Sequence, residues 1–563
     1  MRHCIITCLG IMISLLLLNA CARQSSPMGG PKDEDPPKLI ASNPANETTN
    51  IKPSEISLEF DEYIKVENPN NQIIITPRIN SQQVEFTTLR NRLLIKLNQE
   101  LEDNTTYVFN FQKSVQDVTE SNPVQQLKLV FSTGNEIDSL KFSGTVSYLF
   151  PNNELENIVV GLYPESDTTD LFTAAPYYVA QIDSAGRFEI TNIKAGTYRA
   201  YAWHDENNSN KAEHRSEAYA FLNDPVTLNT DVSGIHFDLY RGDLSELKIN
   251  RSTSVGSNFD IVLNKFPIEI ELDHPDHNQQ LFYRVKEKII RLYHTDPRED
   301  STALNLSIRD SVGFSLDTTL YAKFQPSDRA PEKLEVNANS GKGFVHRIEA
   351  KLNFNKPLQS ILYDSLYIRY DTAGIIPIDA AHVSLPDSSK RTELLIDIPI
   401  PDSLNYSTFT LYAGDSTFID VEGQWNENKL EANYAKLKEE ALSEELSGYV
   451  ETDERPLLVQ LLDKSDEVVK EVYLTDTNAY SFTQLEATQY RLRAIVDHNK
   501  NGRWDPGNIV DRRQPEPVYY FFDKESESDQ ILLRGGWTLN GIVIRKPEKP
   551  ADPVLENNQT DGG

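Results

Sequence analysis

Short runs in which apolar and polar residues strictly alternate set what this chain can fold into. Ile56, Leu58 and Phe60 alternate with Ser57, Glu59 and Asp61. Tyr107, Phe109 and Phe111 follow the turn residues Glu102-Asp103-Asn104, and Leu127, Leu129 and Phe131 run into Thr133-Gly134. Successive side chains of a strand point to opposite faces, so such a run buries one face and wets the other. Asn, Asp, Gly and Pro interrupt the runs at close spacing, which predicts antiparallel sheets packed face to face. Helical patterning is scarce; its clearest stretch, Glu427 to Glu445, is expected to form a linker helix. The expected fold class is all-β.

Internal repeats supply the domain plan. Phe188, Ile193, Tyr198 and Asp205 have the same spacing as Tyr480, Leu485, Tyr490 and Asp497. Upstream of each set lies a matching strand start, Phe142-Ser143-Gly144-Thr145-Val146 and Leu446-Ser447-Gly448-Tyr449-Val450. A second motif also recurs: Ile56 to Phe60 and Leu93 to Leu97 are matched by Ala350 to Phe354 and Leu394 to Ile398. Two copies of a two-sandwich unit, plus an additional sandwich, account for most of the 563 residues. The expected modules are 38–135, 138–241, 244–330, 334–430 and 443–546, each a size typical of Ig-like domains. Residues 547–563 read as a disordered tail.

Composition removes several function classes. Asp and Glu number 85 against 55 Lys and Arg, a net charge of −30. Tracking a phosphate backbone needs clustered cations, so no nucleic-acid partner is expected. Arg2 followed by the mostly apolar stretch Ile5 to Leu18 is too short for a spanning helix, which needs about 20 residues, but suits a signal peptide. Cys4 and Cys8 fall within residues 1–20, so cleavage there leaves Cys21 as the single cysteine, with no internal disulfide. Residues 21–37 are polar and rich in Pro, Gly and Ser, a flexible tether.

Leu18-Asn19-Ala20-Cys21 resembles the lipobox of bacterial lipoproteins. That resemblance implies lipidation of Cys21 and a membrane partner engaged through the acyl chains, and it favours the outer membrane, facing either the cell surface or the periplasm. Residues 31–134, with Asn43-Pro44 and Leu58-Glu59-Phe60-Asp61-Glu62, resemble the bacterial Ig-like domain of the S-layer-protein type. Asp183-Ser184-Ala185-Gly186-Arg187-Phe188 through Gly196-Thr197-Tyr198 resembles the transthyretin-like, carboxypeptidase-regulatory sandwich, and 443–546 matches it more loosely. The expected architecture is thus a tandem array of Ig-like and transthyretin-like β-sandwiches behind a lipoprotein signal peptide. Both families imply spacers or binding modules and carry no catalytic residues to transfer.

One loop has metal-ligand character. Asp497, Asn499, Asn501, Gly502 and Asp505 occupy positions 1, 3, 5, 6 and 9 of an EF-hand-type loop, an oxygen-rich set suited to Ca²⁺. Asn508 stands where a bidentate Glu is required. Asp205, Asn207, Ser209, Asn210 and Glu213 repeat the pattern. The same residues equally suit an Asx-rich loop whose side chains bond their own backbone. Asp273-His274-Pro275-Asp276-His277 reads as a polar turn, since Pro275 prevents a helical His pair. No nucleophile elbow, phosphate loop or dinucleotide fingerprint occurs, so no enzyme is expected. The sequence points to a non-catalytic envelope rod that binds an unidentified protein or glycan. A periplasmic accessory subunit is the alternative, and an enzyme with an inter-module active site comes third.

Overall fold

The computed structural model describes residues 34–150, 155–296 and 298–547. The signal peptide, Cys21, most of the tether and nearly all of the tail lie outside the described residues. The chain divides into two compact units: residues up to Leu140 with Thr191–Ala195, and the remainder.

In the first unit, Leu39–Asn43, Glu55–Phe60, Arg92–Leu97 and Val84–Leu89 form a four-stranded sheet. Ile74–Thr76, Thr106–Asn110 and Lys128–Ser132 form a three-stranded one. The alternation has its expected effect: Ile56, Leu58 and Phe60 are fully buried, and Phe109 and Tyr107 each stack on Phe131 with ring centroids 5.9 and 5.8 Å apart. Each such side chain contributes about 1.5–3 kcal/mol by leaving water.

Residues 334–436 of the second unit repeat this layout, the strand Leu430–Lys436 carrying the sandwich past the expected boundary at 430. Val336–Ala338, Arg347–Phe354, Glu393–Pro399 and Val383–Ser384 make one sheet. Thr408–Ala413 is flanked by Leu366–Arg369 and Leu430–Lys436 in the other. Residues 244–330 form a further sandwich around Ile261, Leu292, Leu304 and Ile308.

The segment Glu427 to Glu445 is not a helix. It comprises the strand Leu430–Lys436, the one-turn 3₁₀ segment Glu439–Ala441 and the start of the strand Leu442–Val450. Ala432 and Tyr434 alternate into the core, while Glu431, Asn433 and Ala435 face out. Glu, Ala and Lys favour helices, but packing of the alternate face overrides that preference.

The repeats at 138–241 and 443–546 match strand for strand. Leu140–Tyr148 lies beside Arg187–Ile193 in its sheet and pairs parallel with Val232–Leu239; Leu442–Val450 pairs antiparallel with Ala479–Glu486 and parallel with Thr538–Arg545. A register shift precedes Gly144 in one parallel ladder and Gly448 in the other. A Cβ on Gly144 would lie 1.9 Å from the Ile235 carbonyl oxygen, and one on Gly448 1.7 Å from that of Ile542. Only glycine permits these backbones to approach so closely.

These repeats are not strung in line with the intervening sandwiches between them. They pack on one another: Trp203, Tyr219, Phe221 and Tyr240 of the first share an apolar cluster with Leu458, Ile495 and Val518 of the second. Among the described residues, no helix is long and apolar enough to cross a membrane.

Candidate functional site

Each repeat carries an Asx loop immediately after its central strand, Gly196–His204 or Gln489–Val496. Asp497, fully buried, accepts the N–H groups of Asn501 at Oδ1 (3.1 Å) and Gly502 at Oδ2 (2.7 Å). Asp205 does the same for Ser209 and Asn210, each at 2.8 Å. Gly502 and Asn210 both adopt positive φ, +75° and +56°, the left-handed turn this wrapping requires. The ninth-position carboxylates are also equivalent. Asp505 accepts the Asn499 amide at 2.8 Å, and Glu213 accepts that of Asn207 at 2.9 Å. Asn501 Nδ2 donates to the same oxygen of Asp505 at 2.5 Å.

The sequence reading missed the residue that closes each loop. Glu516 accepts the N–H groups of His498 (2.8 Å) and Asp505 (3.0 Å); Glu217 accepts those of Glu206 (3.0 Å) and Glu213 (2.8 Å). Burial pushes both carboxyls above the ordinary Glu range. A signal was present, because each Glu sits two residues before the next paired strand, Tyr219–Phe221 or Val518–Phe521. Counting forward from the Asp hides this, since the intervening segments differ in length.

The structure therefore brings Asp497, Asn499, Asn501 and Asp505 into one loop. Their oxygens are of the hard type that Ca²⁺ prefers, yet they fit the ion only in part. Asn508 bonds the Asp511 carboxylate and the Val510 N–H instead of turning to the loop centre. The nearest replacement, Glu516, spends both oxygens on backbone N–H groups. Tyr473 adds a hydroxyl at 2.8 Å from Asp497 Oδ2, and burial pushes that phenol up to about 12. Among the described residues, no group of three or more His, Cys, Asp or Glu gathers as a metal site. Around the polar turn at 273–277, His274 meets Thr302 at 2.8 Å and Asp276 meets His294 at 3.3 Å.

From Arg503 onward the second loop reaches out of its own module. Trp504 packs edge-on against Phe150 of the first repeat at 4.8 Å. Gln514 donates to the Phe221 carbonyl at 2.9 Å, Arg513 to that of Val312 at 2.6 Å, and Arg503 to Glu269 at 2.9 Å. One loop thus ties three sandwiches together.

An open sheet face offers a different chemistry. On the outer side of the sheet that holds Leu366–Arg369, Thr408–Ala413 and Leu430–Lys436, Tyr367 and Tyr412 stack at 4.9 Å, with the Arg369 guanidinium 5.7 Å above Tyr412 and Glu431 3.6 Å from that arginine. Ile375, 51 % exposed, lies on the neighbouring edge strand. Half-buried aromatics rimmed by polar groups suit recognition of a partner with both apolar and hydrogen-bonding surface.

Two family models match parts of the chain. Residues 33–133 match the family described as bacterial Ig-like domain, and residues 152–213 match domain II of polysaccharide lyase family 4. No curated protein matches the chain. Among solved structures, the native conformation of E. coli alpha-2-macroglobulin aligns at 9 % identity and a TM-score of 0.13, over 88 % of this chain and 42 % of that one. The BSP domain of a biofilm associated protein aligns at 10 % identity and a TM-score of 0.15, over 85 % of this chain and 97 % of that one. The T6 backbone pilin of serotype M6 Streptococcus pyogenes aligns at 10 % and 0.11, over 73 % and 99 %.

Proposed function

We propose that the chain is a non-catalytic, lipid-anchored envelope protein that displays its sandwiches to bind a protein or glycan partner. The observation that carries this reading is the Tyr367–Tyr412–Arg369 face, an aromatic platform on an outer sheet surface. The conspicuous buried carboxylates support a structural rather than a chemical role: Asp205, Glu217, Asp497 and Glu516 each accept two backbone N–H groups. The lipobox-like Cys21 supports anchoring, because acyl chains contribute about 0.8 kcal/mol per buried CH₂. Transthyretin-like ancestry of the two repeats belongs to the same reading, supported by their shared parallel closing strand.

Protease shaving of intact cells, blotted for the C-terminal repeat, tests display. Rapid loss supports surface exposure, whereas protection until the outer membrane is opened points to a periplasmic partner. Replacing Cys21 by Ala should release the protein from the membrane fraction. Tyr367→Ser with Tyr412→Ser should abolish binding to a glycan array or to host-cell matrix while leaving the circular dichroism spectrum unchanged. Retained binding would overturn the assignment of the face.

A further inference from the structure

Two lysines of the second unit are buried outright against aspartates, and the two pairs differ in one respect. Lys265 donates to Asp310 Oδ2 at 2.5 Å and to the Asp243 carbonyl at 2.7 Å, with the Asp243 carboxylate 4.0 Å away. Lys356 and Asp420 are both fully buried, and Lys356 Nζ touches Asp420 Oδ2 and the Glu332 carbonyl. Only here does a second carboxylate reach the amine: Glu422 Oε2 lies 3.1 Å from Nζ, and its Oε1 is held by the Asn258 amide at 2.9 Å. Asp420 Oδ1 accepts the N–H groups of Glu422 and Gln424, each at 2.9 Å. Oδ2 accepts no well-formed hydrogen bond. Burial also pushes the Asp420 carboxyl up, toward its neutral form.

We propose that Lys356 and Asp420 condense into an intramolecular amide, with Glu422 as the proton carrier. The Nζ–Cγ bond forms and the Cγ–Oδ2 bond breaks. Two of the three ammonium protons leave with Oδ2 as water, relayed through Glu422, which ends as it began. The third proton stays on the amide nitrogen. The step needs no oxidant, cofactor or activated donor. The N–H groups of Glu422 and Gln424 face the oxygen on which charge develops as the amine adds, as an oxyanion hole does. Permanent contact replaces a bimolecular encounter. Condensation also removes two charges whose burial is costly. Lys265 and Asp310 have no further carboxylate within hydrogen-bond reach of the amine to carry the proton, so that pair stays ionic.

Peptide mapping of the purified full-length chain by mass spectrometry tests this. The expected result is a branched peptide joining Lys356 to Asp420, lighter than its two linear parts by the mass of one water. No such species should join Lys265 to Asp310. Glu422→Gln, checked for folding by circular dichroism, should lower the yield of the branched peptide about a hundredfold at early times after refolding. Linear peptides carrying unmodified Lys356 and Asp420 in the wild-type chain would overturn the proposal, whatever the variant does. A branched peptide that forms equally fast in Glu422→Gln would overturn the role given to that residue.

Discussion

The two repeats share their strand pairings and the same Asp-Asn loop, but they differ in the segment that leaves the loop. In the first, four positions carry the chain from Glu213 to Glu217, and the loop closes on itself. In the second, eleven carry it from Asp505 to Glu516, and the added segment reaches Phe221, Asn223 and Val312 in two other sandwiches. Gly507 lets that segment through: a Cβ there would lie 2.4 Å from the Tyr240 hydroxyl. One frame thus yields a self-contained loop in one copy and an inter-module tie in the other. Duplication conserved the internal carboxylate scaffold and left the excursion beyond it free to make an interface.

The largest test of that contrast removes the surface on which the repeats meet. Trp203, fully buried in the shared cluster, replaced by Ala should cost about 3–5 kcal/mol in chemical denaturation. It should also split one calorimetric transition of the second unit into two. A single unsplit transition would mean that the repeats are coupled elsewhere. Gly448→Ala should cost about 1–3 kcal/mol, since neither backbone can retreat without breaking the parallel ladder. Gly144→Ala should behave alike, and a large disparity between the two would show that the copies carry this close approach unequally. Asp497→Ala should lose about 1–3 kcal/mol, because two N–H groups and the Tyr473 hydroxyl are left unmatched.

Calcium sharpens the comparison further. If the second loop takes the ion, millimolar Ca²⁺ should raise the Tm relative to chelator and Asp505→Asn should abolish the rise; specific binding at a hundredfold over Kd gives about 2.7 kcal/mol. An unchanged Tm would leave the loop as a hydrogen-bonded turn alone.

The smallest effect concerns pH. Burial raises Glu217 and Glu516, so their contribution favours the fold below the ordinary Glu range and is lost as pH rises through the folded values. Asp117 of the first unit is opposite. Burial pushes it up, but the N–H groups of Glu120, Asn122 and Ser121 hold it below the ordinary Asp range. Its contribution is present above that range and is lost as pH falls through the folded value. Hydrogen exchange, corrected for intrinsic rates, should therefore slow in both Asx loops between neutrality and about pH 4, and quicken at 117–122 below it.

Much of this was legible in the chain. Alternation at Ile56-Leu58-Phe60 gave the correct buried face, and the equally spaced residues from Phe188 to Tyr198 and from Tyr480 to Tyr490 fall on corresponding strands. The failures have physical causes. Leu430–Lys436 is rich in helix formers (Leu430, Glu431, Ala432, Ala435 and Lys436), and pairing with Thr408–Ala413 holds it extended. Glu217 and Glu516 were missed because their offset from the loop Asp differs between the copies; only their offset from the following strand, Tyr219–Phe221 or Val518–Phe521, is shared. The stacking of Tyr367 on Tyr412 depends on cross-strand register, which alternation alone does not specify.

The seam between the repeats also sets a schedule for folding. Tyr520 donates to the Leu149 carbonyl across 371 positions of sequence, and the parallel strand that seals the second repeat, Thr538–Arg545, is the last of the described residues' strands. Contacts so distant in sequence close late and slowly. While the chain is being made, the first repeat can complete its own strands but must wait, with Trp203, Tyr219 and Phe221 uncovered, for a partner face several hundred residues away. A chain halted after the first repeat would present that face to whatever it meets, which makes it the natural target for a chaperone and the place where truncated forms aggregate.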